Sequence, residues 1–158
     1  ITIDSRNVRK NTLFVCIEGL TVDGHIFIEN AIKSGAVAIL VQKDITNIPK
    51  DITLIKVNNT RNALSYIASN FYNNPVNKCE LIGVTGTNGK TSSTYFMESI
   101  LKENNKNVGI IGTIDTRING EKVEIDFATS TTPDSIELQH ILNYMVEKNV
   151  DNVIMEVS

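Results

Sequence analysis

The feature that most constrains the fold is the stretch GVTGTNGKTS at residues 83–92. It overlaps an apolar run at 79–85, which predicts a strand, and leads into residues 91–104, whose pattern predicts a helix. A strand, a glycine-bearing turn and a helix that opens on Lys90 and Thr91 are typical of a phosphate-binding loop. The backbone N–H groups of such a turn and the positive end of the helix both attract anions.

Within this loop, Lys90 is predicted to reach the terminal phosphates of a nucleotide and the Thr91 hydroxyl to ligate Mg²⁺. The match to GxxxxGK[ST] is imperfect, because Val84 stands where the leading glycine belongs. A glycine turn with an incidental exposed lysine is the simpler alternative. The phosphate interpretation is favoured because strand, turn, Gly-Lys-Thr and helix all occur in order.

Two further stretches carry candidate site residues. NVIMEV (152–157) predicts a strand that ends in an acid, Glu156, which would ligate a metal at the carboxyl edge of a parallel sheet; a solvated acid is the alternative. STTPD (130–134) predicts a helix start with Thr132 as its N-cap and Pro133 as its first residue. Capping does not require Ser130 and Thr131 as well, and three hydroxyls at a helix N-terminus suit an anionic substrate.

Alternating strand and helix patterns with short connections predict an α/β fold with a largely parallel sheet. The proline and polar residues of NNPVNK (73–78) mark the best boundary, which predicts domains at 1–78 and 79–158. Residues 114–128 predict a hairpin that turns at NGE. Helix 91–104 is predicted to bury a stripe of four apolar side chains, which are Phe96, Met97, Ile100 and Leu101.

Composition excludes several classes of protein. With a net charge of −3 and a pI of about 5.4, the chain lacks the basic footprint of a protein that binds nucleic acid or an anionic membrane. Its apolar runs are too short to cross a bilayer. Two isolated cysteines fit a reducing compartment. Because the chain opens on Ile1 and closes on Ser158 directly after a strand, it is expected to be a piece of a longer polypeptide.

Together these stretches resemble the Mur ligases, the ATP-dependent amide-forming enzymes of bacterial peptidoglycan precursor synthesis. GVTGTNGKTS resembles their phosphate loop. Further segments resemble the branch that adds the third peptide residue: DSR (4–6), LFVCIEG (13–19), DGHIFIENAIKSGAVAILV (23–41), STTP (130–133) and MEVS (155–158). The resemblance covers nearly the whole chain. Asn11 departs from it, because a glycine is usual there.

The resemblance implies a small α/β UDP-binding domain followed by the first part of a P-loop NTPase-like central domain with a mainly parallel sheet. It implies a cytoplasmic ligase, expected to be monomeric, that joins L-lysine or meso-diaminopimelate to UDP-N-acetylmuramoyl-L-alanyl-D-glutamate through an acyl phosphate, with ATP and Mg²⁺. The residues that it assigns to ATP are Gly86, Thr87, Asn88, Gly89, Lys90, Thr91 and Ser92, with Lys90 catalytic. The residues that it assigns to Mg²⁺ are Thr91 and Glu156. The residues that it assigns to the UDP-sugar-peptide are Ile3, Ser5, Ser130, Thr131, Thr132 and Ser158.

Two alternatives remain open from the sequence. The first is the neighbouring Mur ligase branch, which adds a D-Ala-D-Ala dipeptide. The second is a non-catalytic phosphate-loop module that binds only a nucleotide. Because the family's amino-acid-binding domain has no counterpart in this sequence, the chain alone is expected to be inactive, and its sequence does not choose between lysine and diaminopimelate.

Overall fold

The computed structural model describes residues 1–124 and 132–158, and the chain forms two compact units, Ile1–Ala68 and Ser69–Ser158. The predicted α/β class is confirmed: each unit combines helices with a sheet that contains parallel strands. The division falls inside a helix, before the domain boundary proposed at residue 78. Among the residues that the structure describes, no helix has the length and apolar character needed to cross a membrane.

The first unit contains a three-stranded parallel sheet in the order β1-β2-β3. Its elements are a 3₁₀ helix Ser5–Asn7, β1 Thr12–Val15, a 3₁₀ helix Gly24–Phe27, α1 Ile28–Lys33, β2 Ala36–Val41, β3 Thr53–Lys56 and the start of α2 Thr60–Phe71. Apolar side chains of β1 and β2 pack with Ile28 and Ala31 of α1 in one buried cluster. Burial of these chains is the main stabilising contribution to this unit.

The turn before β1 contains Asn11, the residue at which this sequence differs from the glycine that the resemblance predicts. Its φ of 67° is left-handed, a conformation that asparagine adopts more readily than other non-glycine residues. The Asn11 N–H donates to the Gly35 carbonyl at 3.1 Å. Asparagine can therefore occupy a turn position where Mur ligases usually carry glycine.

Asp23 anchors the segment between β1 and α1. Its carboxylate accepts hydrogen bonds from Lys43 Nζ at 2.6 Å, from the His25 N–H at 3.0 Å and from His25 Nδ1 at 2.5 Å. The Lys43 ammonium, followed by the His25 N–H groups, holds the pKa of Asp23 well below its ordinary value of 3.8. The Gln42 N–H donates to His25 Nε2 at 3.2 Å, so the buried imidazole carries its proton on Nδ1.

We expect Asp23→Asn to lower stability at neutral pH and to matter less in acid. A carboxylate whose pKa falls on folding stabilises the folded state above its unfolded pKa, and this contribution disappears as the pH falls through the folded value. Thermal melts followed by circular dichroism at about pH 7 and about pH 2 should show a shrinking difference in Tm from the wild type. Replacement of the exposed Asp51 by asparagine is the matched control. If Asp23→Asn lowers Tm by the same amount at both pH values, this account is contradicted.

The second unit contains a five-stranded sheet in the order β4-β8-β5-β6-β7. Its elements are a 3₁₀ helix Pro75–Lys78, β4 Glu80–Thr85, α3 Lys90–Glu103, β5 Val108–Ile111, β6 Thr116–Ile118, β7 Glu121–Lys122, α4 Ser135–Glu147 and β8 Asn152–Val157. β4, β8 and β5 are parallel, whereas β6 and β7 are antiparallel and turn at Asn119 and Gly120, which confirms the hairpin in its described part. β8 is last in the sequence but lies between β4 and β5.

Residues that follow neighbouring parallel strands therefore meet at one edge of this sheet. One face packs on α3 through Ile110 and Ile154, with Met97 and Leu101 partly buried against them. The opposite face packs on α4, where Ile141, Leu142 and Met145 are buried.

The predicted apolar stripe of α3 is only half correct. Phe96 and Ile100 are 71% and 62% exposed, and the buried positions of this helix are Thr94 and Glu98. The helix therefore turns a face with two polar residues toward the sheet. Periodicity of apolar residues cannot find such a face, because a buried acid depends on a partner elsewhere in the chain.

Candidate functional site

The loop that follows β4 has the backbone of an anion-binding turn. Gly86 and Gly89 have φ values of +147° and +80°, which L side chains rarely adopt, and Gly89 is the N-cap of α3. The first helical hydrogen bond at this end runs from the Ser93 N–H to the Gly89 carbonyl at 2.9 Å. The amides that open the helix thus lie at its positive end, where an anion is favoured.

Lys90 reaches back across this loop. Its Nζ donates to the Gly86 carbonyl at 2.7 Å, so the ammonium lies over the turn. A cation in this position attracts a polyanion to the amides below it.

Glu156 of β8 lies beside the loop and is 1% exposed. Its carboxylate accepts from Thr113 Oγ1 at 3.0 Å and from the Thr113 N–H at 3.4 Å. A Cβ on Gly112 would come within 2.7 Å of Glu156 Oε1, so glycine leaves the room that this carboxylate needs. The Thr113 bonds offset part of the cost of burying the acid.

All the predicted nucleotide and metal residues except Gly86 line one pocket of about 230 Å³. It is lined by Thr87, Asn88, Gly89, Lys90, Thr91, Ser92, Thr113 and Glu156. The structure thus brings a lysine ammonium, loop amides, hydroxyls and one buried carboxylate to the carboxyl edge of the sheet. Hydroxyl and carboxylate oxygens are ligands that Mg²⁺ accepts, and the ammonium and amides suit phosphate oxygens.

Sequence reasoning missed the turn after β5. Gly112 and Thr113 directly follow a strand, and Thr113 contacts the predicted metal ligand Glu156. Their position directly after a strand could have identified them as site residues, because segments that follow parallel strands gather at one edge of the sheet. What the sequence did not reveal is that β8 lies beside β5.

The structure corrects the predicted start of α4. Asp134 is the N-cap, and its carboxylate accepts from the N–H groups of Ile136 and Glu137 at 2.8 and 2.9 Å. The Glu137 carboxylate accepts from the Asp134 N–H at 3.1 Å, which completes a capping box. Thr132 is therefore not the cap, because the helix begins at Ser135, two residues later than predicted, and the Asp134 carboxylate caps its first turn.

Thr132 lies instead at the end of β8. Its Oγ1 is 3.0 Å from Ser158 Oγ and 3.3 Å from the Glu156 carbonyl, and it accepts from the Ser158 N–H at 3.1 Å. Two predicted substrate-binding hydroxyls thus meet next to the predicted metal ligand. Ser130 and Thr131 lie outside the described residues.

Ile3 and Ser5 belong to the first unit. Ser5 opens the first 3₁₀ helix, which Asp4 caps by accepting from the Arg6 N–H at 2.9 Å. Both residues are half-buried, so each keeps surface for contact with a ligand.

Two family patterns match this chain. One, described as "Mur ligase family, catalytic domain", matches residues 1–72, and the other, "Mur ligase middle domain", matches residues 84–158. The chain belongs to the Mur ligase family. The resemblance predicted from the sequence is confirmed, and the phosphate loop, Thr113, Thr132 and Glu156 all lie in the segment that matches the Mur ligase middle domain.

Curated Mur ligases cover the whole of this chain. A UDP-N-acetylmuramoyl-L-alanyl-D-glutamate–2,6-diaminopimelate ligase of Alkaliphilus oremlandii is 52% identical over 158 residues, and a ligase of the same name from Clostridium tetani is 49% identical over 160 residues. The chain spans about a third of the length of these relatives, 31% and 32% respectively.

Solved Mur ligase structures share the fold. The MurF ligase of Thermotoga maritima, determined in complex with ADP, aligns over 98% of this chain and 31% of its own, with a TM-score of 0.61 and 25% identity. A UDP-N-acetylmuramoyl-L-alanyl-D-glutamate–2,6-diaminopimelate ligase aligns over 99% of this chain and 31% of its own, with a TM-score of 0.77 and 19% identity. The second match supports the fold alone.

Proposed function

We propose that this chain carries the nucleotide-binding and UDP-substrate-binding parts of an ATP-dependent ligase. The reaction joins a diamino acid to UDP-N-acetylmuramoyl-L-alanyl-D-glutamate. The observation that carries the proposal is the single pocket in which the phosphate loop, Lys90 and the buried Glu156 converge. The relatives named for this reaction support the substrate, and their shared name favours 2,6-diaminopimelate over lysine.

In this reaction an oxygen of the D-glutamate carboxylate attacks the terminal phosphorus of ATP, and ADP leaves. The amine of the diamino acid then attacks the acyl carbon, and inorganic phosphate leaves. Lys90 and the amides at the start of α3 would neutralise charge on the transferred phosphoryl group. The proposed nucleotide residues are those from Gly86 to Ser92.

The pocket also fits Mg²⁺. The Thr91 hydroxyl and the Glu156 carboxylate line it together, and the Thr113 bonds fix the orientation of that carboxylate. Bound magnesium would neutralise phosphate charge and orient the terminal phosphate. Few protein ligands suffice, because Mg²⁺ usually keeps several waters and binds phosphate oxygens.

The proposed substrate residues lie in both units. Thr132 and Ser158 lie beside Glu156, where the D-glutamate end of the substrate must meet the terminal phosphate. Ser130 and Thr131 are assigned to the same end by resemblance, and Ile3 and Ser5 to the uridine end. The boundary of the UDP-binding domain at residue 78 is part of this proposal. We also propose a cytoplasmic monomer.

We expect Ser5→Ala to weaken binding of the UDP-linked substrate and to spare ADP. Loss of one hydroxyl contact should cost about 1–2 kcal/mol of binding free energy. Isothermal titration calorimetry with UDP-N-acetylmuramoyl-L-alanyl-D-glutamate and with ADP measures both affinities. Ser65→Ala is the control, since Ser65 is exposed on α2 and bonds only the Asn62 carbonyl in the described residues. A weakened affinity for ADP with an intact affinity for the UDP-linked substrate would contradict the assignment.

The runner-up function is a module that binds a nucleotide and no UDP-sugar. The exposed, glycine-bearing phosphate loop is its only specific support. It leaves unexplained why Thr132 and Ser158 meet beside the proposed metal ligand.

A further inference from the structure

A buried ion pair lies outside the pocket, between α3 and β6. Arg117 and Glu98 are 4% and 6% exposed. Arg117 Nη2 lies 2.9 Å from Glu98 Oε2, and Nε donates to the same oxygen at 3.1 Å. Glu98 Oε1 is buried with no hydrogen-bond partner in the described part of the chain.

The same guanidinium makes two further contacts. Its central carbon lies 3.5 Å from the centroid of the Tyr95 ring, which belongs to α3. Its Nη1 lies 3.5 Å from Asp115 Oδ1, in the turn that joins β5 to β6. This turn is closed by the Gly112 N–H, which donates to the Asp115 carbonyl at 3.1 Å. Arg117 thus ties one helix to one turn.

Both elements that Arg117 contacts, α3 and the turn between β5 and β6, contribute residues to the pocket. α3 begins with Lys90 and Thr91, and the turn carries Thr113, whose N–H and hydroxyl hold the Glu156 carboxylate. Arg117 is not among the residues that line the pocket. Its contacts therefore link the helix that carries Thr91 to the turn whose Thr113 bonds Glu156.

Stability alone explains this arrangement poorly. Removing two charges from water is costly, and well-packed apolar residues often stabilise a protein as well as a buried ion pair does. The unbonded Glu98 oxygen adds to that cost. What a forked guanidinium offers beyond apolar packing is a defined geometry between three partners, which here are Tyr95, Glu98 and Asp115.

We propose that Arg117 is a positioning residue for the metal–nucleotide pocket: by joining Glu98 and Tyr95 of α3 to Asp115, it holds Glu156 and Thr91 at the spacing that one Mg²⁺ requires. The inference rests on the proposed function. It assigns Arg117 no contact with substrate or metal. Its loss should therefore affect how Mg²⁺ strengthens nucleotide binding more than nucleotide binding itself.

The test measures the affinity for ADP by calorimetry, once in EDTA and once in Mg²⁺. For Arg117→Lys, which keeps the charge but loses the fork, we expect an ADP affinity in EDTA within about twofold of the wild type. The factor by which Mg²⁺ raises the affinity for ADP should fall by about tenfold. Residues that orient metal ligands typically contribute an effect of this size. Lys148→Met is the control, because it removes a cation that lies 5.5 Å from the centroid of the Tyr144 ring, away from the pocket.

A second variant keeps the test decisive if Arg117→Lys unfolds. Asp115→Ala cuts the tie to the turn and leaves the Arg117–Glu98 pair in place. It should melt close to the wild type and show the same loss of Mg²⁺ strengthening. Two results in a folded variant would overturn this inference and leave the proposed function standing. One is an unchanged effect of Mg²⁺ on the affinity for ADP, and the other is an equal loss of ADP affinity with and without Mg²⁺. Wild-type binding of ADP that does not respond to Mg²⁺ would overturn the proposed metal site as well.

Discussion

Lys90→Ala should weaken binding of ATP by on the order of 100-fold, or about 2.7 kcal/mol. The Lys90 ammonium lies over the loop, 2.7 Å from the Gly86 carbonyl, where a triphosphate would meet the amides of α3. Loss of this cation leaves the phosphate charge to the backbone amides and the metal. Calorimetric titration of the chain with a non-hydrolysable ATP analogue in Mg²⁺ measures the loss.

Lys102→Ala is the matched control for this experiment. Lys102 belongs to the same helix, is exposed, and donates to the Asn119 carbonyl at 3.0 Å, far along α3 from the loop. Lys102→Ala removes the same charge from the same helix, so net charge alone cannot explain a difference in ATP affinity between the two variants. Equal affinities for Lys90→Ala and the wild type would show that this glycine turn does not bind phosphate.

Glu156→Gln should remove most of the Mg²⁺ dependence of nucleotide binding. The substitution keeps the shape of the side chain but removes the charge that a divalent cation requires. We expect the strengthening of ADP affinity by Mg²⁺ to fall by at least about tenfold, while affinity in EDTA rises or stays the same because a buried negative charge near phosphate is gone.

Glu147→Gln, an exposed replacement at the end of α4, controls for loss of one negative charge in the same unit. A Glu156→Gln variant that keeps the full effect of Mg²⁺ would remove Glu156 from the proposed metal site. Its hydrogen bonds to Thr113 would then be the role that the described residues give this acid.

The sequence predicted the elements of the fold better than their arrangement. Glycines at 86 and 89 and the apolar runs beside them were enough to predict strand, loop and helix, because these signals are local. Sheet order is set by contacts between distant residues. The position of β8 between β4 and β5, which brings Glu156 beside the loop, therefore appears only in the structure.

Buried polar residues were the hardest to predict. The sequence analysis did not identify Glu98 and Arg117 as buried, since neither shows its ion-pair partner within its own helix or strand. Thr132 was predicted to cap α4 because it precedes a proline, yet the nearby Asp134 forms the cap, and Thr132 bonds to the end of a strand 24 residues later. The Arg117–Glu98 pair and the bonds of Thr132 to the end of β8 join segments far apart in the sequence, whereas the Asp134 cap is local.

The most direct test of the central claim is a calorimetric titration of the wild-type chain with UDP-N-acetylmuramoyl-L-alanyl-D-glutamate, followed by ADP and Mg²⁺. The account predicts that both ligands bind, that Ser5→Ala weakens only the first, and that Lys90→Ala weakens only the second. A folded chain that binds ADP and Mg²⁺ but gives no heat and no change in melting temperature with the UDP-linked substrate would contradict the ligase assignment and favour a nucleotide-binding module.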